Sequence, residues 1–93
     1  MQNTITDAKL KKYFEITEVA LEKVRKKIIK TKFNKAKEIL EMASNYINDA
    51  HYFENNKDFV NAFAALNYAH GWIDSGVRLG VFNVKDSKLF TIR

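Results

Sequence analysis

The sequence predicts an all-α fold: an antiparallel up-down-up three-helix bundle that ends in a short extended or hairpin C-terminal tail. Three observations support this prediction. The 93-residue chain has no proline, and its three glycines all lie at position 71 or later, so little interrupts a helix before that point. Apolar residues recur at alternating steps of three and four along three successive segments, as in amphipathic helices. Polar clusters separate the segments, so we expect residues 1–93 to form one helical-bundle domain with short connections.

The first helix is predicted over about residues 6–30. Thr6 is a suitable N-cap, and Asp7 places an acidic side chain in the first turn, where the helix dipole favours it. The apolar stripe of this helix comprises Leu10, Phe14, Thr17, Leu21, Val24 and Ile28. Its register is lost near residues 29–34, which predicts a turn or a sharp kink there.

The second and third helices are predicted over about residues 33–55 and 58–79. The polar run from Asn55 to Asp58 predicts the turn between them, with Asp58 as the N-cap of the third helix. Gly80 lies where a left-handed residue would end that helix. The two stripes comprise Ala36, Ile39, Ala43, Tyr46, Ala50 and Phe53, then Phe59, Ala62, Leu66, Ala69, Ile73 and Val77.

The last segment, residues 81–93, differs in character from the helices. β-Branched and aromatic residues flank a polar run at residues 85–88, a pattern typical of a short hairpin or an extended tail. Because an isolated two-stranded hairpin is marginally stable in water, we expect this segment to pack on the bundle.

Composition excludes several kinds of site. The chain has no cysteine, which excludes disulfides, thiol nucleophiles and thiolate metal ligands. No apolar run approaches the roughly 18–20 residues that span a bilayer, and the N-terminus lacks the charged-then-apolar order of a signal peptide. We therefore expect a cytoplasmic protein with no membrane partner, no metal and no cofactor.

Positive charge is concentrated in the first part of the chain. Residues 1–37 contain eleven Lys and Arg against four acidic residues, whereas residues 38–93 contain five against seven. Such a distribution is typical of a solvated lysine face or of a surface that contacts phosphate groups. On the outer face of the first helix no aromatic residue interleaves the lysines, so base stacking is not expected. The possible phosphate contacts are Lys23, Arg25, Lys26, Lys27, Lys30, Lys32, Lys35 and Lys37.

The third helix has more apolar surface than two neighbouring helices would cover. Beside its core stripe runs a second one that includes Tyr68, Trp72 and Leu79, and the combined apolar arc is wider than such a helix needs. The C-terminal segment, a homodimer or protein partner, or a small-molecule groove could each cover it. Gly71 faces outward, where glycine costs about 1 kcal/mol relative to alanine, so something approaches closely there or the helix bends. The candidate interaction surface is Tyr68, Gly71, Trp72 and Leu79.

A polar cluster of unknown role lies on the same helix. His70 and Asp74 are one turn apart, as are Asp74 and Arg78, so each pair is within reach. A general base with an orienting carboxylate would have this spacing. The nearest nucleophile, Ser75, points to a different face, so the cluster is interpreted as a flanking histidine satisfied by a neighbouring side chain beside a surface ion pair. No catalytic residue is predicted.

The run YAHGWID at residues 68–74, followed by Gly76 and by Leu79-Gly80, resembles the archaeal family catalogued as domain of unknown function 357. The resemblance covers the second and third helices well and the basic first helix loosely, and it does not include residues 85–93. It implies a small three-helix bundle and no established activity. The turn region is also similar to a single tetratricopeptide hairpin, with Lys57 where that motif has glycine.

These observations lead to an ordered set of functional hypotheses. The first is a non-enzymatic helical interaction module that uses the third helix for self-association or for a protein partner. The alternative is a nucleic-acid-binding accessory protein that uses the basic segment 23–37. An enzyme that uses His70 and Asp74 is the third hypothesis and is not expected.

Overall fold

The computed structural model describes residues 4–86 and 89–90. In this part of the chain there are three α-helices, no strand, and one short 3₁₀ turn at Lys30–Lys32: α1 (Asp7–Arg25), α2 (Phe33–Asn55) and α3 (Phe59–Arg78). The all-α three-helix fold is therefore confirmed. Residues 87–88 and 91–93 of the predicted tail lie outside the described residues.

Both predicted N-caps are present. The Thr6 hydroxyl accepts a hydrogen bond from the backbone N–H of Lys9 at 3.2 Å, and the Asp58 carboxylate accepts one from the N–H of Asn61 at 3.2 Å. Each bond satisfies a backbone donor that has no partner within the first helical turn. Before α3, Lys57 has a φ of +62°, the left-handed conformation at the position where the tetratricopeptide-like pattern has glycine.

The first helix is shorter than predicted, because it ends at Arg25 rather than near residue 30. The apolar periodicity continues through Ile28, but the backbone after Lys26 forms other hydrogen bonds. The N–H of Ile29 donates to the carbonyl of Val81 at 3.0 Å, and the N–H of Asn83 donates to the carbonyl of Lys27 at 2.8 Å. Long-range pairing thus replaces the last predicted turn of helix.

The same hydrogen bonds place the start of the tail on the bundle. Ile28 and Phe82 form an isolated antiparallel bridge, so the start of the tail pairs with the α1–α2 connection. Further along, the N–H of Phe90 donates to the carbonyl of Asp86 at 3.0 Å within the tail itself. Val81, Phe82 and Phe90 are buried. The tail therefore contributes side chains to the core.

The helices follow the up-down-up order. Phe14 of α1 stacks on His51 of α2, with ring centroids 4.3 Å apart, and Tyr13 contacts Phe63 of α3 edge to face at 4.6 Å. The α2–α3 interface is the most extensive of the three. Fully buried alanines line it and allow close approach of the two helices: Ala36, Ala43, Ala50, Ala62 and Ala69.

Candidate functional site

The exposed surface of α3 is almost free of charge. Its exposed residues are Val60, Asn61, Ala64, Asn67, Tyr68, Gly71, Ser75 and Arg78. Only the last of them is charged, and it is the final residue of the helix. We call the exposed residues before Arg78, together with Trp72 and Leu79, the α3 face.

Helix α1, one of the two helices that pack on α3, has a very different solvent-exposed surface. The exposed residues of α1 are Asp7, Ala8, Lys9, Lys11, Lys12, Glu15, Glu18, Val19, Glu22, Lys23 and Arg25. All but Ala8 and Val19 are charged. A solvated helix usually has such a charged outer surface, so the composition of the α3 face is not that expected for contact with water alone.

Large apolar side chains lie on the α3 face. Tyr68 is 63% exposed and Leu79 is 73% exposed, whereas Trp72 is partly buried against the core. The ring of Tyr68 stacks on that of Tyr46 in α2, with centroids 5.3 Å apart and planes 20° apart. One side of Tyr68 is thus held in place while the rest of the ring faces outward.

The described part of the tail does not cover the α3 face. Phe82 packs against Gly76 and Ile39. Beyond Phe82 the described tail lies on the flank of α3 that faces α1, where the ammonium group of Lys23 is 2.6 Å from the carboxylate of Asp86 and Leu89 contacts His70. The hypothesis was that residues 81–93 cover Tyr68, Trp72 and Leu79. For the residues that the structure describes it is wrong at Tyr68 and Leu79, which are exposed, whereas Trp72 is partly buried against the core. The reason is the pairing of residues 81–83 with the α1–α2 connection, which directs the chain toward α1.

The outward glycine of α3 lies in open space. A β-carbon built on Gly71 would meet no heavy atom within 4 Å, so neither the bundle nor the described tail explains the absence of a side chain. Asn67, Tyr68, Trp72 and Ser75 surround it and form a shallow groove. Backbone atoms of α3 are accessible at the floor of this groove.

One residue of the polar cluster on α3, His70, contacts the tail. The Nε2–H of His70 donates to the backbone carbonyl of Leu89 at 2.6 Å, and the same nitrogen lies 3.8 Å from a carboxylate oxygen of Asp74. The partner of His70 is therefore a main-chain carbonyl 19 residues away, where the sequence suggested a side chain. Because Nε2 carries the donated proton, this nitrogen is not free to act as a base. Arg78 is exposed at the end of the helix.

The second histidine lies elsewhere in the bundle. His51 is 3.6 Å from a carboxylate oxygen of Glu18 and 3.6 Å from one of Glu54, and its ring stacks on Phe14. Among the described residues, no group of three or more His, Cys, Asp or Glu side chains is arranged to hold a metal ion. We therefore identify no candidate metal ligands in that part of the chain.

The basic segment, residues 23–37, lies at one end of the bundle. It includes the last turn of α1, the connection, the 3₁₀ turn and the first turn of α2. Two of its eight basic residues form ion pairs: Lys23 with Asp86, and Arg25 with Glu22 at 3.6 Å. The others are at the surface, and they comprise Lys26, Lys27, Lys30, Lys32, Lys35 and Lys37.

An aromatic residue that the sequence interpretation missed lies among these lysines. Phe33, the first residue of α2, is 56% exposed. It shares a shallow surface groove with Lys30, Lys32 and Lys35. The expectation that no aromatic residue interleaves the lysines concerned only the outer face of the first helix and did not consider this end of the bundle. The signal was the position of Phe33 in the sequence, directly between basic residues.

Comparison with known families connects this architecture to other proteins. A family model described as "Protein of unknown function (DUF357)" matches residues 12–82. The match spans most of the chain, from α1 to Phe82. The chain belongs to the DUF357 family. The resemblance of the segment around residues 68–80 is thereby confirmed, and the match includes the basic first helix and the start of the tail.

Further comparisons add no functional assignment for this DUF357 protein. Searches of curated proteins and of solved structures found no significant match. Within residues 4–86 and 89–90, the helices are too short or too polar for any of them to cross a membrane.

Proposed function

We propose that this DUF357 protein is a protein-interaction module that binds its partner through the α3 face. The observation that supports this proposal is the absence of charge along the exposed side of α3 before Arg78. Burying such a face requires no ion to be removed from water, a step that is costly unless the ion is paired. The centres of protein interfaces are likewise depleted of charged residues.

The side chains on the α3 face are suited to this role. Tyrosine and tryptophan contribute a large share of the binding energy in many interfaces, and Tyr68 is anchored by its stack on Tyr46. An anchored ring loses little conformational entropy when a partner binds it. The open backbone at Gly71 allows a second helix to approach closely.

Affinity capture with matched variants tests the proposal. Tagged wild-type protein and Tyr68→Asp are compared, and Val19→Asp provides the control because it places the same charge on the exposed surface of α1. We expect a protein recovered with the wild type and with Val19→Asp to be lost with Tyr68→Asp, and partly lost with Leu79→Ser. Equal recovery of every associated protein with all four chains would contradict the proposal.

A second function is favoured by a different observation. The exposed ring of Phe33 lies beside Lys30, Lys32 and Lys35, which have no ion pair among the described residues. Lysines that contact phosphates and an aromatic ring that stacks on bases are the two components of single-stranded nucleic-acid binding. We propose nucleic-acid binding at this end of the bundle as the alternative function.

Fluorescence anisotropy with single-stranded RNA and DNA oligonucleotides tests the alternative. Replacement of Lys30, Lys32 and Lys35 by Gln should weaken binding and flatten the dependence of log K on log salt concentration. The matched control replaces Lys9, Lys11 and Lys12 by Gln at the far end of α1. Absence of binding at low salt, or equal loss in both triple variants, would exclude a site around Phe33.

We further propose that neither function is enzymatic. His70 lies one helical turn before Asp74 on α3, and its Nε2–H donates a hydrogen bond to the Leu89 carbonyl. This contact supports a role for His70 in holding the tail. The cytoplasmic location expected from the sequence stays a prediction.

A further inference from the structure

We propose that the partner bound by the α3 face is a second copy of this chain, with the two α3 helices antiparallel and crossing at Gly71. This inference rests on the proposed interaction function and names its partner. It also predicts a symmetric dimer, in which each copy presents the same surface to the other.

The charge distribution favours a second copy. The chain has a net charge of +5, so two copies repel each other overall, and a face such as that of α1 would bring many charged side chains into the contact. The α3 face is the exception, because none of its residues is charged. Two copies that meet through it bring no like charges into contact at the centre of the interface.

The ends of the α2–α3 hairpin decide the relative direction of the two copies. Residues 49–61, around the α2–α3 turn, contain three acidic residues against one lysine. Residues 30–38 and 78–80, at the opposite end, contain five basic residues against one acidic residue. An antiparallel pair places the acidic end of each copy beside the basic end of the other, whereas a parallel pair would place like ends together. Within the hairpin that carries the α3 face, charge complementarity therefore favours the antiparallel arrangement. Lys9, Lys11 and Lys12 lie at the same end of the bundle as the α2–α3 turn, but they are on α1.

Gly71 determines where the two helices cross. In a symmetric antiparallel pair, the residue at the two-fold axis faces itself, so a small side chain there permits the closest approach. A β-carbon at Gly71 would have no neighbour within 4 Å, and Tyr68 and Trp72 flank the position. This contact would explain an exposed glycine in mid-helix that no residue of the described bundle requires.

Sedimentation equilibrium on the purified full chain tests the proposal. Over roughly 1 µM to 1 mM, a range that covers weak and moderate dimers, we expect the mean mass to rise from 10.8 kDa toward twice that value. Gly71→Glu should weaken association by at least roughly tenfold, while the matched control Val19→Glu leaves it unchanged. Because Gly71 is exposed and Glu is a better helix former than Gly, thermal unfolding of the variant verifies that its fold is retained.

Disulfide trapping tests the direction and the crossing point, since the chain has no cysteine of its own. Gly71→Cys should form a covalent dimer under oxidation. Ser75→Cys should not, because the two residues 75 would lie about 12 Å apart along the helix axes, beyond the reach of a disulfide. Cross-linking of both variants would indicate parallel helices, and cross-linking of neither would place the contact elsewhere. Either result would overturn the proposal.

Sedimentation and affinity capture together distinguish a failure of the dimer proposal from a failure of the proposed interaction function. A mass of 10.8 kDa at every concentration, with a different protein captured by the wild type and lost with Tyr68→Asp, would overturn the second copy and leave the α3 face as a binding surface. A constant mass with no capture that depends on Tyr68 would overturn both.

Discussion

The ring of Phe82 occupies the space into which a side chain at Gly76 would project. A β-carbon on Gly76 would lie 2.5 Å from Cε2 and 2.8 Å from Cδ2 of Phe82, and 3.1 Å from Cδ1 of Ile39. The C-terminus of α3 produces this contact. The N–H of Val81 donates to the Gly76 carbonyl at 2.8 Å and that of Gly80 to the Val77 carbonyl at 3.2 Å, the Schellman arrangement. The turn directs Phe82 back over the helix.

Alanine substitutions at Gly76 and Gly71 should have opposite effects on stability. Gly71→Ala should raise the free energy of unfolding by up to about 1 kcal/mol, since its surroundings are open and alanine is the better helix former. Gly76→Ala should lower it by about 1–3 kcal/mol, because the buried Phe82 ring must move. Urea denaturation followed by circular dichroism measures both changes.

The double variant isolates the steric cause. In a Phe82→Ala background the space of the ring is vacant and only the contact with Ile39 at 3.1 Å remains, so adding Gly76→Ala should cost less than in the wild type. An unchanged cost in that background would show that Gly76 is required for another reason.

Phe82 and Phe33 should differ widely in their contribution to the free energy of unfolding. Phe82 is 2% exposed, whereas Phe33 is 56% exposed. Phe82→Ala should lower the free energy of unfolding by about 3–5 kcal/mol because it leaves a cavity, and Phe33→Ala should change it by less than about 0.5 kcal/mol. Thermal and urea unfolding provide the comparison. A large loss for Phe33→Ala would contradict the assignment of Phe33 to the surface.

The left-handed turn after α3 should not tolerate alanine. Gly80 has a φ of +76°, a conformation that costs other residues roughly 1–2 kcal/mol. Gly80→Ala should therefore lower the free energy of unfolding by about that amount, although a β-carbon there would meet no atom within 4 Å. Urea titration measures the loss, and wild-type stability in this variant would show that the turn adopts another conformation in solution.

Loss of the His70 side chain should loosen the tail before it affects the helices. Removing the hydrogen bond to Leu89 should cost about 1 kcal/mol, roughly a fivefold increase in the open population of the tail. His70→Ala should then be cleaved faster by trypsin at Lys85. His51→Ala is the matched control, because His51 contacts α1 and not the described tail. Equal cleavage rates in the two variants would contradict a tail-holding role for His70.

Local sequence features predicted the helices well because their causes are local. The apolar period, the N-caps Thr6 and Asp58 and the left-handed Gly80 each depend on residues within one or two turns, and each is present in the structure. The wide apolar arc of α3 and its outward glycine are equally visible in the sequence, and they indicated Tyr68, Gly71, Trp72 and Leu79 as a candidate surface.

The tertiary structure decided what the local pattern left open. The end of α1 at Arg25, the course of the tail and the partner of His70 all depend on hydrogen bonds between residues far apart in sequence. The energy of such pairing depends on how the helices pack, so no local period encodes it. By itself the sequence determined three amphipathic helices, one of which has a wider apolar arc than two neighbouring helices would cover. Only the course of the tail decided that Tyr68, Gly71 and Leu79 are left uncovered by the residues that the structure describes.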